Sequence, residues 1–238
     1  MVPQLYKQFQ HWGKEGAVWI YSDPHFGDEE LRAGVRGRPT DAELIAKINS
    51  KVGKKDTFIC LGDVGDIECA RKIRGYKVLI CGNHDVGASN YERQVVVKKF
   101  DKQEYSREQA IAAMREMYPN WRVKCFDEGY QFQPPFTYWL IEADNCLFDA
   151  VYTGPLMIGE KLLLSHEPLA VDWAYNIHGH VHEHHHRNDK YHFNACAEHI
   201  GYTPVHLTND LLKKGVLAHI PSIHRITIDK ATERKRKR

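Results

Sequence analysis

Short apolar runs alternate with amphipathic stretches along the first third of the chain. Ala17-Val18-Trp19-Ile20-Tyr21 has the continuous apolar character of a buried strand and stops at Ser22-Asp23-Pro24. Thr40, three residues before Glu43, makes a capping-box pattern. Leu44, Ile45, Ile48 and Val52 then mark one helical face, and Gly53 supplies a stop. The spacing predicts a strand over Thr57–Leu61, a short helix through Ala70 and Ile73 closed by Gly75, and a strand over Tyr76–Cys81. Strand, helix, strand, helix, strand is the rhythm of βαβ units.

The middle of the chain is less regular. Ser106 and Gln109 repeat the capping-box pattern and open a helix through Met114 and Met117 that Pro119 ends. Strands are predicted over Val123–Phe126, Phe136–Glu142, Leu147–Tyr152 and Lys161–Ser165, with two more around Tyr175–His178 and Tyr191–Ala195. Helical crossovers first and a strand-rich half later predict an α/β fold, a two-sheet β-sandwich flanked by helices. There is no internal repeat and no Gly/Ser linker, so residues 1–229 read as a single domain. Residues 230–238 lack apolar anchors and read as a disordered tail.

Composition narrows the function classes. At 238 residues, 42% hydrophobic and 27% charged, the chain is an ordinary globular sequence with ample material for a core. No stretch approaches the roughly 20 apolar residues of a membrane span, so no membrane partner is expected. The first twenty residues lack a basic and then apolar leader pattern. The segment Lys230 to Arg238 carries net +5 within a total of +2, which leaves the body at −3. That balance excludes a strongly basic nucleic-acid binder, although the tail could still attract phosphates. Six scattered cysteines without a CxxC pair read as reduced thiols of a cytoplasmic protein. Histidine, at 15 residues, invites a search for metal ligands.

That search finds a pattern. Five predicted strands each end on potential ligands: Asp23-Pro24-His25, Gly62-Asp63-Val64-Gly65-Asp66, Gly82-Asn83-His84-Asp85, Ser165-His166-Glu167, and Gly179-His180-Val181-His182. Ligands in open α/β architectures bind beyond the carboxyl ends of strands. Each cluster alone is more often a turn or polar loop. Turn chemistry needs Gly and Asp, but not a His two residues after an Asp and a later His-x-His pair. Mixed carboxylate and imidazole donors suit first-row dications better than Ca²⁺ or Mg²⁺.

The five blocks in series, spread over Val18 to Val205, resemble the calcineurin-like metallophosphoesterases, whose signature runs D-x-H, G-D-x-x-D, G-N-H-[DE], a separate His, and G-H-x-H. The resemblance implies the αββα metallophosphoesterase fold and a dinuclear centre. Asp23, His25 and His182 would hold one ion, Asn83, His166 and His180 the other, and Asp63 would bridge them. It implies two divalent transition-metal ions, Mn²⁺ foremost with Fe, Zn or Ni as alternatives, and phosphoester hydrolysis by a metal-bridging hydroxide. His84 would face the phosphate as a catalytic group, with Asp85 holding its tautomer. Asp66 is expected to be structural.

Relatives that act on phosphoproteins extend the second block to G-D-x-V-D-R-G and end the third in Glu. Here Ile67 stands where that Arg would be, Glu68 follows, and Asp85 ends the third block. The expected substrate is therefore a nucleotide or other small phosphodiester, unless Arg36, Arg38 or Arg93 folds over the pocket. A nuclease acting on single-stranded or terminal nucleic acid through the basic tail is the alternative. A phosphomonoesterase and a non-catalytic scaffold are more remote, since none of the seven ligands is missing.

Other residues read more plainly. His178 is a candidate neighbour of the ligands, and His184, His185 and His186 form a solvated loop. Asn194, with Tyr202-x-Pro204-Val205, is assigned to closing the sheet. Tyr130, Phe132, Phe136, Tyr138 and Trp139 fall at near-alternate positions, which favours sheet or core over a base-stacking mouth.

Overall fold

The computed structural model describes residues 5–126, 137–182, 188–212 and 215–222. It is a mixed α/β structure that divides into two compact units, Met1–Tyr91 with Phe148–Arg238, and Glu92–Leu147. The single domain expected from the sequence is thus interrupted by a compact insert. The 230–238 tail and the His184–His186 run lie outside the described residues.

In the larger unit, β1 (Val18–Tyr21), β2 (Thr57–Cys60), β3 (Tyr76–Ile80) and β7 (Ala150–Tyr152) run parallel, and β12 (Val205–His206) adds an antiparallel edge to β1. A second sheet has the order β11 (His192–Asn194), β10 (Tyr175–His178), β9 (Leu162–Leu164), β8 (Leu156–Gly159). There β9, β10 and β11 are parallel, and β8 returns antiparallel. One apolar core takes Ile20, Ile59, Val78 and Ile80 from the first sheet and Ile158, Leu162, Leu164 and Ile177 from the second. Fully burying a side chain of this size contributes about 1.5–3 kcal/mol, so this shared layer ties the two sheets together.

The opposite face of the first sheet buries Tyr21, Phe58, Cys60 and Leu79 against Leu44 and Ile48 of α2 (Asp41–Lys51). Burial on both faces is why its strands read as continuous apolar runs. The capping box of Thr40 and Glu43 is formed, with both bonds present, and fixes where α2 begins. Short helices α1 (Glu29–Gly34) and α3 (Ile67–Ala70) complete the unit's first half.

The insert is an antiparallel sheet of order β4 (Val95–Asp101), β6 (Tyr138–Asp144), β5 (Arg122–Phe126) with one helix, α4 (Arg107–Met117). Its small core joins Phe100, Ile141 and Ala143 to Ala110 and Met114 of α4, whose Ser106–Gln109 capping box is also formed. Trp139 packs against this core and donates its indole N–H to the Tyr105 carbonyl at 2.9 Å. Lys99 Nζ lies 4.5 Å from the Tyr138 ring centre. Tyr130, Phe132 and Phe136 lie outside the described residues.

Candidate metal centre

All five sequence clusters follow strands at their carboxyl ends: Asp23 and His25 after β1, Asp63 after β2, Asn83 to Asp85 after β3, His166 after β9, and His180 and His182 after β10. Their backbones are bonded into one rim. Asp23 N–H donates to the Gly62 carbonyl at 3.1 Å, His25 N–H to Asp63 O at 3.0 Å, and Gly179 N–H to His166 O at 2.8 Å. Of the eight non-glycine residues with positive φ among the described residues, five are Asp23, His25, Asp63, His180 and His182. Left-handed conformations of this kind cost on the order of 1–3 kcal/mol each, and a fold keeps them where they aim a side chain.

The glycines of the motifs are there for space. A Cβ on Gly179 would lie 1.9 Å from Ser22 Oγ and 2.3 Å from Asp23 Oδ2, and one on Gly82 would lie 2.2 Å from Asp63 Oδ1. The ligand loops touch through these positions.

The side chains form two groups. In the first, Asp23, His25 and His182 converge, with His25 Nε2 and His182 Nε2 at 3.9 and 3.8 Å from Asp23 Oδ1. In the second, Asp63, His166 and His180 converge, and Asn83 Oδ1 lies 2.9 Å from His166 Nε2 and 3.1 Å from His180 Nδ1. Asp63 Oδ2 faces both groups, 3.5 Å from His25 Nε2 and 3.4 Å from His166 Nε2. All seven expected ligands are together.

Counting hydrogens tests whether cations fit. Asp23 Oδ1 and His25 Nε2 are buried and have no hydrogen-bond partner among the described residues. Buried polar atoms are rarely left so. His166 Nδ1 lies 2.8 Å from the Leu61 carbonyl, which can only accept, so that nitrogen carries the hydrogen and Nε2 presents a lone pair. That lone pair faces the Asn83 oxygen at 2.9 Å, two acceptors without a hydrogen between them. A divalent cation in each group would satisfy these atoms, and the mixed O/N donor sets fit one. Burial, opposed by the charges of Asp23 and Asp63, lowers the His25 pKa and keeps its lone pair available.

The surroundings add residues that the sequence reading left out. Glu198, whose side chain is buried, accepts from His182 Nδ1 at 3.1 Å through one oxygen and pairs with the Arg38 guanidinium through the other. The Glu198 bond is the largest cause of a raised His182 pKa. Burial would raise the Glu198 carboxyl, but the His182 bond and the Arg38 charge carry it below the usual range. Arg38 also donates to the Pro24 carbonyl at 2.5 Å. Cys196 Sγ lies 3.3 Å from Asp23 Oδ2, which also accepts the His180 N–H at 3.0 Å. Neither Glu198 nor Cys196 lies in a spaced motif, so no local signal marks them.

One expected role changes. Asp85 accepts the N–H groups of Asp63 and Gly82, each at 2.8 Å, and of Val64 at 3.0 Å. Its carboxylate holds backbone rather than the His84 ring, which corrects the tautomer-holding role expected of it. His84 is exposed, its N–H donates to Asp63 Oδ1 at 3.0 Å, and its ring centre lies 5.4 Å from that of His25. Asn194 ends the edge strand β11 and donates to the His182 carbonyl at 2.8 Å, and Val205 pairs with Ile20 at the edge of the first sheet, so both close sheets as expected. Asp66 caps α3 by accepting Glu68 N–H at 2.9 Å, the structural role expected of it. His178 is buried in β10, with Nδ1 2.9 Å from the Gly179 carbonyl oxygen.

No family model and no curated protein matches the chain. Among solved structures, a protein of unknown function from Aquifex aeolicus is similar, at 18% identity over 80% of this chain and 95% of that one, with a TM-score of 0.44. A likeness of that size carries no argument about function. Among the described residues, no helix is long and apolar enough to cross a membrane.

Proposed function

We propose that the chain is a dinuclear metal-dependent phosphoesterase of the calcineurin-like type, with the αββα architecture of that family, acting on a nucleotide or other small phosphodiester. The observation that carries this reading is the single oxygen Asp63 Oδ2, within 3.5 Å of an imidazole nitrogen in each of two ligand groups. One carboxylate facing two donor sets is the arrangement that holds two cations close together.

When bound, two first-row dications such as Mn²⁺ would supply Lewis acidity to the phosphoryl oxygens and lower the pKa of a water molecule. Asp23, His25 and His182 would hold one, Asn83, His166 and His180 the other, with Asp63 between. His84 is the exposed group beside the centre with a titratable ring, and it donates a proton to the leaving oxygen or a hydrogen bond to the phosphate. Its backbone bond to Asp63 Oδ1 ties its position to that of the shared carboxylate.

The experiment is elemental analysis with a manganese-supplemented screen of phosphodiesters, phosphomonoesters and single-stranded nucleic acid. Close to two ions per chain are expected, Asp63→Asn should impair both positions, and bis(p-nitrophenyl) phosphate should be hydrolysed. His84→Ala should keep the metals and lose roughly 10²–10⁴ in turnover. An active protein without metal would overturn the proposal.

A further inference from the structure

Arg38 and Glu198 stand 160 residues apart in sequence, yet their side chains are 2% and 3% exposed and paired. Burying such a pair is expensive and is rarely a net source of stability compared with apolar packing. Its bonds lead to the first ligand group from two sides. Glu198 takes the Nδ1 hydrogen of His182 at 3.1 Å, which leaves Nε2 with its lone pair towards Asp23. Arg38 takes the carbonyls of Pro24 and Asp23, at 2.5 and 3.4 Å, between the two left-handed residues Asp23 and His25.

The side chains of the second group have other supports. His166 is fixed by the Leu61 carbonyl, and Asp63 donates its N–H to Asp85 and accepts the His25 N–H at its carbonyl. Among the described residues, the side-chain hydrogen bonds of Arg38 and Glu198 go to Asp23, Pro24 and His182 and to each other, and not to His166, His180, Asn83 or Asp63.

We infer that Arg38 and Glu198 are positioning residues for one of the two metal positions, the Asp23–His25–His182 group, and not for the other. The inference rests on the dinuclear reading above and deepens it. Glu198 selects the imidazole tautomer and ring orientation, and Arg38 holds Glu198 in place together with the turn that carries Asp23 and His25. Partners of this kind behind a ligating histidine typically change metal affinity by about 10–100-fold.

The test is calorimetric titration of the full chain, stripped with a chelator, with Mn²⁺ alone. Wild type should bind two equivalents. Glu198→Gln and Arg38→Met should each weaken one equivalent by about 10–100-fold and leave the other within about twofold. The retained equivalent reports that the variant is folded, a readout a merely structural pair would not divide in this way. Variants that titrate like wild type, or that weaken both ions alike, overturn the inference while the dinuclear reading stands. A wild type that binds no ion overturns both. Should the variants fail to fold, the nitrogen-15 spectrum of metal-free wild type at pH 9 decides, with the His182 signals identified by their loss in His182→Gln. A hydrogen on Nδ1 is expected, and a hydrogen on Nε2 overturns the inference.

Discussion

Asp85 accepts the backbone N–H of Asp63 at 2.8 Å. The last residue of the third motif thus holds the main residue of the second. The same oxygen accepts the Gly82 N–H at 2.8 Å, and burial, with the Asp85 charge and the bond the Tyr91 hydroxyl donates to that carboxylate, pushes the Tyr91 phenol up to about 12. Two strand-end loops, after β2 and β3, are tied by one buried carboxylate.

Asp85→Ala should therefore act on stability and on metal binding together. It leaves the N–H groups of Asp63, Val64 and Gly82 without their acceptor, and charged-acceptor bonds carry about 1.5–3 kcal/mol each when isolated. Because the loops can relax, a loss of about 2–4 kcal/mol overall is expected in thermal denaturation. Both Mn²⁺ equivalents should weaken in titration, since the displaced Asp63 carboxylate serves both groups. A variant with native stability that lost only turnover would return Asp85 to the role of holding His84.

Gly179 makes a steric prediction. Its Cβ position is taken by Ser22 Oγ and Asp23 Oδ2, whereas a Cβ on Gly154 would meet nothing within 4 Å. Gly179→Ala should lower both the melting temperature and the affinity of the Asp23 group for Mn²⁺, while Gly154→Ala should leave both unchanged. Equal behaviour of the two variants would mean that the loops do not close on each other as tightly as the structure places them.

The sequence made the ligands legible because each falls in a short polar cluster at the end of a strand, three of the five clusters opening on a glycine. The strands β1, β2, β3 and β10 were legible too, being buried on both faces. β4 was not, although it runs over seven residues. It is covered on one side only, and Lys98 interrupts that side between Val96 and Phe100, with its ammonium 5.6 Å from the Tyr118 ring. β8 and β12, at four and two residues, were too short for a period to show. Glu198 and the actual role of Arg38 escaped because they lie in a contact across 160 positions, which no local spacing encodes.

Asp144 sets the acid response of the insert. Its side chain is fully buried, and burial alone would raise its pKa. Bonds from Arg93 and from Cys146 N–H, with the Arg93 and Arg122 charges, hold it below the usual carboxylate range instead. A depressed folded pKa gives stability that is present above the unfolded value of about 3.9 and lost as pH falls through the folded value. Asp144→Asn should cost about 1–3 kcal/mol at pH 7, read as lost hydrogen-exchange protection in β5 and β6. The gap to wild type should begin to narrow as the pH falls below about 4, where the unfolded carboxylate takes up protons. A gap that stays constant from pH 7 to pH 3 would contradict this.

The choice between diester and monoester turns on where the arginines are. A monoester is a dianion near neutral pH, and a guanidinium can clamp its extra charge bidentately. Of the three candidates for that clamp, Arg38 is buried and engaged by Glu198 and the Pro24 carbonyl. Arg93 belongs to the insert and grips Asp144 through two nitrogens, at 3.1 and 2.7 Å. Arg36 is exposed. Ile67 opens α3, and the Glu68 carboxylate is paired with Arg71 at 3.0 Å. A singly charged diester suffers less from the missing clamp, and its alkoxide leaving group gains more from the proton that His84 can give. With Mn²⁺ at neutral pH, kcat/KM for bis(p-nitrophenyl) phosphate should exceed that for p-nitrophenyl phosphate by about tenfold, a difference of ~1.4 kcal/mol in the barrier. Arg36→Ala should leave this ratio unchanged. A higher value for the monoester, falling in Arg36→Ala, would assign the clamp to Arg36 and overturn the diester preference, with the two-metal reading left standing.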